Sequence, residues 1–273
     1  MDSLNRASDL SSSRLGGASR RFDTYRRLLP SFLRRDLKVK YQRSLLGFLW
    51  TLINPIIVSL ILITVFSWVV RIPIENYWAF LLSGYFSWNF TQQCIGAAGN
   101  VFQEHAGLRR NVRFPIEALV LGASLSRLVE FCVEIAIVLA LVSVLHHGSV
   151  PSSIVLLPLL IVVQVLIALG FMFPISIASV LFQDIQNALP VGLLSLFYVS
   201  PILYPVALVP EFALPWYYAN PLAGPLELFH VTLYEGSWPS LSLLGGSLAG
   251  AVVFCAIGYV TFAKFKNDCI ESA

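Results

Sequence analysis

Charge is scarce in this sequence. Only 12% of its 273 residues are charged and 57% are hydrophobic, whereas a soluble domain carries about 25% charged residues. So little charge excludes a water-exposed globular surface. Lysine is rarest where it would matter: Lys38, Lys40, Lys264 and Lys266 are the full set, and none follows glycine. A phosphate-cradling loop needs Gly-Lys before Ser or Thr, so ATP, if used, is used by a partner. Cysteine is limited to Cys94, Cys132, Cys255 and Cys269, with neither metal spacing nor a disulfide framework. They read as small buried hydrophobes. The histidines, His105, His146, His147 and His230, lack the HExxH pattern of a metalloprotease. No catalytic constellation and no metal site is expected. Residues 1–24 are rich in Ser, Arg and Gly and lack the apolar stretch of a secretory signal.

What the sequence does have is length of apolar run. Mean hydropathy is +0.75, and six segments each reach the length of about 20 residues that crosses a bilayer core. They lie near Leu46–Val70, Tyr77–Phe102, Ile116–Leu145, Ile154–Phe182, Ile185–Leu203 and Leu241–Phe265. The fold class is therefore an all-α integral membrane protein of six transmembrane helices. Ahead of them, apolar residues recur every three or four positions from Tyr25 to Tyr41. Arg34, Arg35, Asp36, Lys38, Lys40 and Arg43 fill the gaps, with Pro30 as a break. That pattern is an amphipathic helix lying on a membrane surface with its bases toward lipid phosphates. A span follows at once, so nucleic acid is a poor partner for these bases.

Basic residues set the orientation. Eleven of 18 precede Leu45, Arg109, Arg110 and Arg113 follow the second span, and Lys264 and Lys266 follow the sixth. Lys and Arg accumulate on the cytosolic side, which predicts both termini inside. The chain divides into a basic tail (1–24), a surface helix (25–44), a transmembrane domain (45–265) and a cytosolic tail (266–273).

Between spans five and six, residues 205–239 are apolar and aromatic yet interrupted by Pro205, Pro210, Pro215, Pro221 and Pro225, and they contain no Lys or Arg. This predicts two short helices that enter the outer leaflet without crossing, a geometry tolerated where protein or water covers it. Asn220-Pro221 reads as an N-cap with proline in the first turn, and Trp216, Tyr217 and Tyr218 are the candidate packing rings.

Arg127, Glu130 and Glu134 share one face of span three. Intramembrane charges cost at least about 2.5 kcal/mol each on insertion scales, so they pair or face water. A stripe on a translocation path, pairing with another helix and a proton relay all fit. Aromatic residues Tyr85, Phe86, Trp88 and Phe90 in span two, and Phe197 and Tyr198 in span five, are candidates for a conduit that stacks on sugar faces. Packing or lipid-interface roles compete for the same rings.

The run Arg35-Asp36-Leu37-Lys38-Val39-Lys40-Tyr41-Gln42-Arg43-Ser44-Leu45-Leu46-Gly47-Phe48-Leu49-Trp50 with Asn54-Pro55 resembles the opening of permease subunits of polysaccharide ABC exporters. Leu108-Arg109-Arg110-Asn111-Val112-Arg113-Phe114-Pro115, Ser200-Pro201-Ile202-Leu203-Tyr204-Pro205 and Asn220-Pro221-Leu222 continue the resemblance across roughly residues 25–265. It implies that 103–113, including Glu104, His105, Leu108, Arg109, Arg110, Asn111 and Arg113, is a coupling helix docking on an ATPase. Tyr25 to Arg43, with Tyr41, would be the interface helix, and the short helices an outer gate. The resemblance further implies a homodimer in the bacterial cytoplasmic membrane with two ATPase subunits that bind ATP and Mg. The cargo would be an O-antigen, capsule, galactan or teichoic-acid chain on undecaprenyl diphosphate. Gln183-Asp184 departs from the family's frequent Arg-Asp. The competing expectations are a small-molecule or lipid ABC exporter, and an ATP-independent channel or proton-coupled carrier.

Overall fold

Backbone amides in hydrocarbon have no water to bond to, so apolar runs of this length must close their hydrogen bonds internally as helices. The computed structural model describes residues 29–34, 38, 49–104, 116–145, 150–182 and 184–271, and no strand occurs among them. The helices are α1 (Leu49–Thr64), α2 (Tyr77–Glu104), α3 (Glu117–Leu145), α4 (Leu157–Leu181), α5 (Ile185–Val199), α6 (Leu214–Ala219), α7 (Ala223–Phe229) and α8 (Leu241–Glu271). A π-helical turn, Val65–Val69, extends α1, and another, His230–Tyr234, extends α7.

Among the described residues, three helical stretches, Leu52–Val69, Ser152–Leu181 and Leu241–Asn267, are long and apolar enough to cross a bilayer. Helices α2 and α3, of 28 and 29 residues, carry polar groups at mid-length: Asn89, Gln92 and Gln93 on α2, and Arg127, Glu130 and Glu134 on α3. Their polarity goes with their position. Helix α2 is the centre of the chain, flanked by α3 and α4, with α8 packed outside α4. A helix enclosed by protein can carry Ser, Asn and Glu that lipid would reject.

The boundaries differ from the sequence reading at two places. Helix α5 stops at Val199, short of Leu203, because Ser200 precedes Pro201 and is held extended at φ −86°, ψ 151°. Its 15 residues reach about 22 Å, less than a hydrocarbon core of about 30 Å. Helix α8 runs to Glu271, beyond Phe265 and into the expected tail.

The α4–α8 crossing is set by two glycines. A Cβ on Gly258 would run into the Gly170 carbonyl oxygen, and one on Gly170 into the Phe254 ring. Small residues let backbones approach where no hydrophobic force between helices operates. Gly258→Ala is expected to cost about 1–3 kcal/mol through overpacking, visible as a lower thermal midpoint in detergent. Gly246→Ala, whose Cβ would meet nothing within 4 Å, is expected to leave that midpoint unchanged.

Candidate functional site

Call the end of the bundle near Glu104, Glu117 and Lys266 the basic end, and the opposite one the far end. At the far end, the short helices are fastened to α2 through His230. Its Nε2 lies 2.9 Å from the Pro201 carbonyl and its Nδ1 lies 2.8 Å from Ser83 Oγ. A carbonyl can only accept, so Nε2 carries the proton in the neutral ring; the single Ser83 hydroxyl hydrogen is shared between Nδ1 and the Phe80 carbonyl, 2.7 Å from Ser83 Oγ. The ring also stacks on Phe80 with centroids 4.0 Å apart. Gly84 makes room, since a Cβ there would strike the imidazole. Burial pushes His230 down to about 4, so it is neutral at ordinary pH.

Other ties surround this one. Tyr77 donates to the Leu203 carbonyl at 3.0 Å, Tyr234 to Glu75 at 2.6 Å, and Ser153 to Thr232 at 3.0 Å. Trp238 Nε1 donates to Ser152 Oγ at 3.1 Å. Residue order alone marks His230 as no more than a loop histidine, because Gly84 is brought opposite it only by the fold.

The folded-state value of His230 lies below the unfolded reference near 6.5. Its neutral form therefore contributes stability that is complete above pH 6.5 and lost as pH falls toward 4. Limited proteolysis of the 204–240 segment should accelerate across that window, and His230→Gln should flatten the profile.

The expected gate residues split by exposure. Tyr217 is buried, whereas Trp216 is 80% exposed and Tyr218 half exposed. Trp216 thus packs little against the described residues and suits a membrane interface. Asn220 caps the turn that leads into α7: its backbone is extended (φ −71°, ψ 118°) and its carbonyl accepts from the Ala223 amide at 3.0 Å, while the regular helix starts at Ala223. Its Oδ1 accepts from the Leu222 amide at 3.0 Å and its Nδ2 donates to Ser200 Oγ at 2.9 Å. Pro221 sits in that turn rather than in the helix. Asn220 pins the short helices to the α5 exit.

The span-two rings lie in the interior rather than on a surface. Tyr85, Phe86, Trp88 and Phe90 are all buried. Phe90 stacks on Phe131 at 4.8 Å and Trp88 leans on Phe197 at 5.8 Å. Within one chain these rings are core, because α2 is surrounded. Phe197 is part-buried beside them, and Tyr198 is exposed.

The charged cluster of α3 also faces inward. Glu130 and Glu134 are buried, and Arg127 is partly exposed. Arg127 Nη1 lies 3.5 Å from Glu130 Oε1, and Asn89 Nδ2 of α2 donates to Glu134 Oε1 at 2.9 Å. Nearby, Gln164 of α4 donates to the Ser87 carbonyl at 3.0 Å and to Thr91 Oγ1 at 2.6 Å. Polar bonds thus join α2 to both neighbours.

At the basic end, Lys266 of α8 donates to Glu117 Oε1 of α3 at 2.9 Å. This pair braces the point where α3 leaves the 105–115 connection. Glu104 closes α2. His105, Leu108, Arg109, Arg110, Asn111 and Arg113 lie outside the described residues, as do Arg35, Asp36, Lys40, Tyr41, Arg43 and Gln183. Of the surface helix, 29–34 is helical; Phe32 is buried against Gly122 of α3, while Arg34 and Lys38 are exposed. A Lys266→Glu protein should lose about 0.2–1 kcal/mol, the range of partly exposed pairs, and Lys266→Glu with Glu117→Lys should recover it in thermal melts.

Two helices present apolar faces that none of the described residues covers. On α1, Leu60, Ile61 and Trp68 are exposed, and on α5, Val191, Leu194 and Tyr198. Helix α5 has no buried residue at all, and a gap of about 390 Å³ separates it from α2 and α4.

The ABC-2 type transporter family model matches residues 27–234. An O-antigen export system permease protein of Myxococcus xanthus is 28% identical over 251 residues, 91% of this chain and 96% of that protein. One from Klebsiella pneumoniae is 28% identical over 246 residues, 88% and 92% respectively. A polysialic acid transport protein of Escherichia coli is 23% identical over 222 residues, 79% and 84%.

Proposed function

The chain belongs to the ABC-2 type transporter family as a membrane transport subunit, not an ATPase, and from that premise we propose that it exports a polysaccharide. The observation that carries this is near end-to-end similarity to O-antigen export permeases, covering 91% of this chain. The cargo is a glycan carried on undecaprenyl diphosphate, moved across a bacterial cytoplasmic membrane with both termini cytosolic. Two copies and two ATPase subunits, which bind ATP and Mg, form the working unit.

The physics supports a division of labour. The bare faces of α1 and α5 suit contact with a second copy and the walls of a path between copies. Tyr198 stands on that face and can stack on sugar rings; Phe197 backs it. Helix α5, loosely packed over its gap, is the element freest to shift when the ATPases close. The 103–113 coupling segment and the basic surface helix receive that motion. At the far end, His230 and its neighbours fix α7 to α2, so an outer gate would move through Val206 to Ala219 rather than through α7. The test is co-purification with the partner ATPase followed by ATP hydrolysis with and without lipid-linked glycan. Stimulation by glycan, absent with a small-molecule panel, is the expected result; stimulation by the panel alone would favour a small-molecule exporter.

A further inference from the structure

Two segments are proposed above to receive motion from the ATPase, and both lead to the first turns of α3. The 103–113 segment lies just ahead of Glu117, which opens that helix. The surface helix reaches α3 through one ring. Among its described residues only Phe32 is buried; Leu29 and Leu33 are half-buried, and Pro30, Ser31 and Arg34 are exposed. A helix held at the membrane by its amphipathic face would turn such a ring to lipid. Phe32 is instead sunk in protein.

The ring enters a notch that glycine leaves. A Cβ on Gly122 would stand 3.0 Å from Phe32 Cβ and 3.5 Å from its Cγ. The first value is below the separation of about 3.5–4.0 Å at which carbon atoms rest, so only glycine admits the contact as it stands. Phe32 therefore bears on the α3 backbone rather than on a side chain that could rotate away. Such a contact is stiff, because close-packed protein has low compressibility and transmits strain.

From this notch α3 has contacts that lead inward. Lys266 of α8 holds Glu117, about one turn before the notch. About three turns beyond it, Glu134 accepts from Asn89 of α2 at 2.9 Å. Leu189 of α5 in turn lies where a Cβ on Gly99 of α2 would strike it. Displacing α3 thus bears on α2, and α2 touches the helix that lies over a gap.

We infer that Phe32 is a positioning residue for transport, a role that rests on the export reading above. Seated in the Gly122 notch, it makes the surface helix and α3 move as one, so that ATPase motion reaches the membrane helices with little slack. The ring touches neither ATP nor cargo.

The test makes the contact switchable. Phe32→Cys with Gly122→Cys is built in a chain whose own four cysteines are alanine. A disulfide takes Cβ atoms about 3.5–4.5 Å apart, a small opening from the present spacing. The full chain and its ATPase are reconstituted in proteoliposomes with lipid-linked glycan, and ATP hydrolysed per glycan protected is measured. In reductant, with the ring gone, that ratio should rise about tenfold, within the range of coupling between linked sites, while hydrolysis itself persists. Oxidation should link the pair and return the ratio to that of the parent chain. An unchanged ratio in reductant overturns the inference, and so does a fall of hydrolysis and export in step, which would mark a merely structural ring. A pair that fails to cross-link, or a cross-linked chain that stops exporting, overturns it as well.

If the parent chain hydrolyses ATP but protects no glycan, the export reading fails, and a second measurement still judges Phe32. Leu194, exposed on α5, is replaced by cysteine in the cysteine-free chain, and its rate of maleimide labelling is followed with and without ATP. ATP should change that rate when Phe32 is present and leave it unchanged in Phe32→Ala. Equal responses to ATP in the two chains overturn the inference.

Discussion

Arg109→Glu combined with Arg110→Glu is expected to abolish export while the protein still inserts and folds. Both bases lie in the connection between α2, ending at Glu104, and α3, beginning at Glu117. Reversing them changes the local charge from repeated plus to repeated minus at a surface proposed to meet the ATPase. Losing buried or rim charge partners and gaining like-charge contacts costs about 2–5 kcal/mol per close pair, enough for loss beyond a hundredfold. Insertion should survive, since most of the 18 basic residues remain on the same side and the Lys266–Glu117 brace is untouched. Surface glycan and ATPase co-purification should fall together. Unchanged export would mean that these arginines only set topology.

Arg127→Met should cost about 1–3 kcal/mol, less than a fully buried pair would lose because Arg127 is partly exposed. Glu130 is 1% exposed beside it, and without the guanidinium its charge is costly in the interior. Arg127→Met with Glu130→Leu should therefore be more stable, and export more, than Arg127→Met alone. The measurement is thermal stability in detergent alongside export in cells. If the double variant is as stable as wild type but cannot export, the pair belongs to the transport path rather than to packing. If Arg127→Met matches wild type in both readings, the pair contributes nothing.

The long-range pattern of this protein was legible from residue order alone. Six apolar runs with bases gathered at one set of connections predicted helices, and prolines every few residues predicted short ones between α5 and α8. The helix ends were legible where a local rule governs, but Ser200-Pro201 stopped α5 earlier than its apolar run suggested. Burial was not legible. Tyr85, Trp88 and Phe90 read equally well as conduit or core, because a sequence does not say which helix the others enclose. The same applies to His230: its partners Ser83 and Pro201 are more than a dozen positions away, and only packing sets those distances.

The central claim is ATP-driven passage of a lipid-linked glycan through paired copies of this chain. It is tested most directly by reconstituting the chain and its ATPase in proteoliposomes, with labelled glycan-lipid supplied on the side where ATP is added. Glycan should become protected from added glycosidase in proportion to ATP hydrolysed, and protection should cease when ATP is depleted or the ATPase is omitted. Protection that continues without ATP and follows an imposed proton gradient would contradict the account.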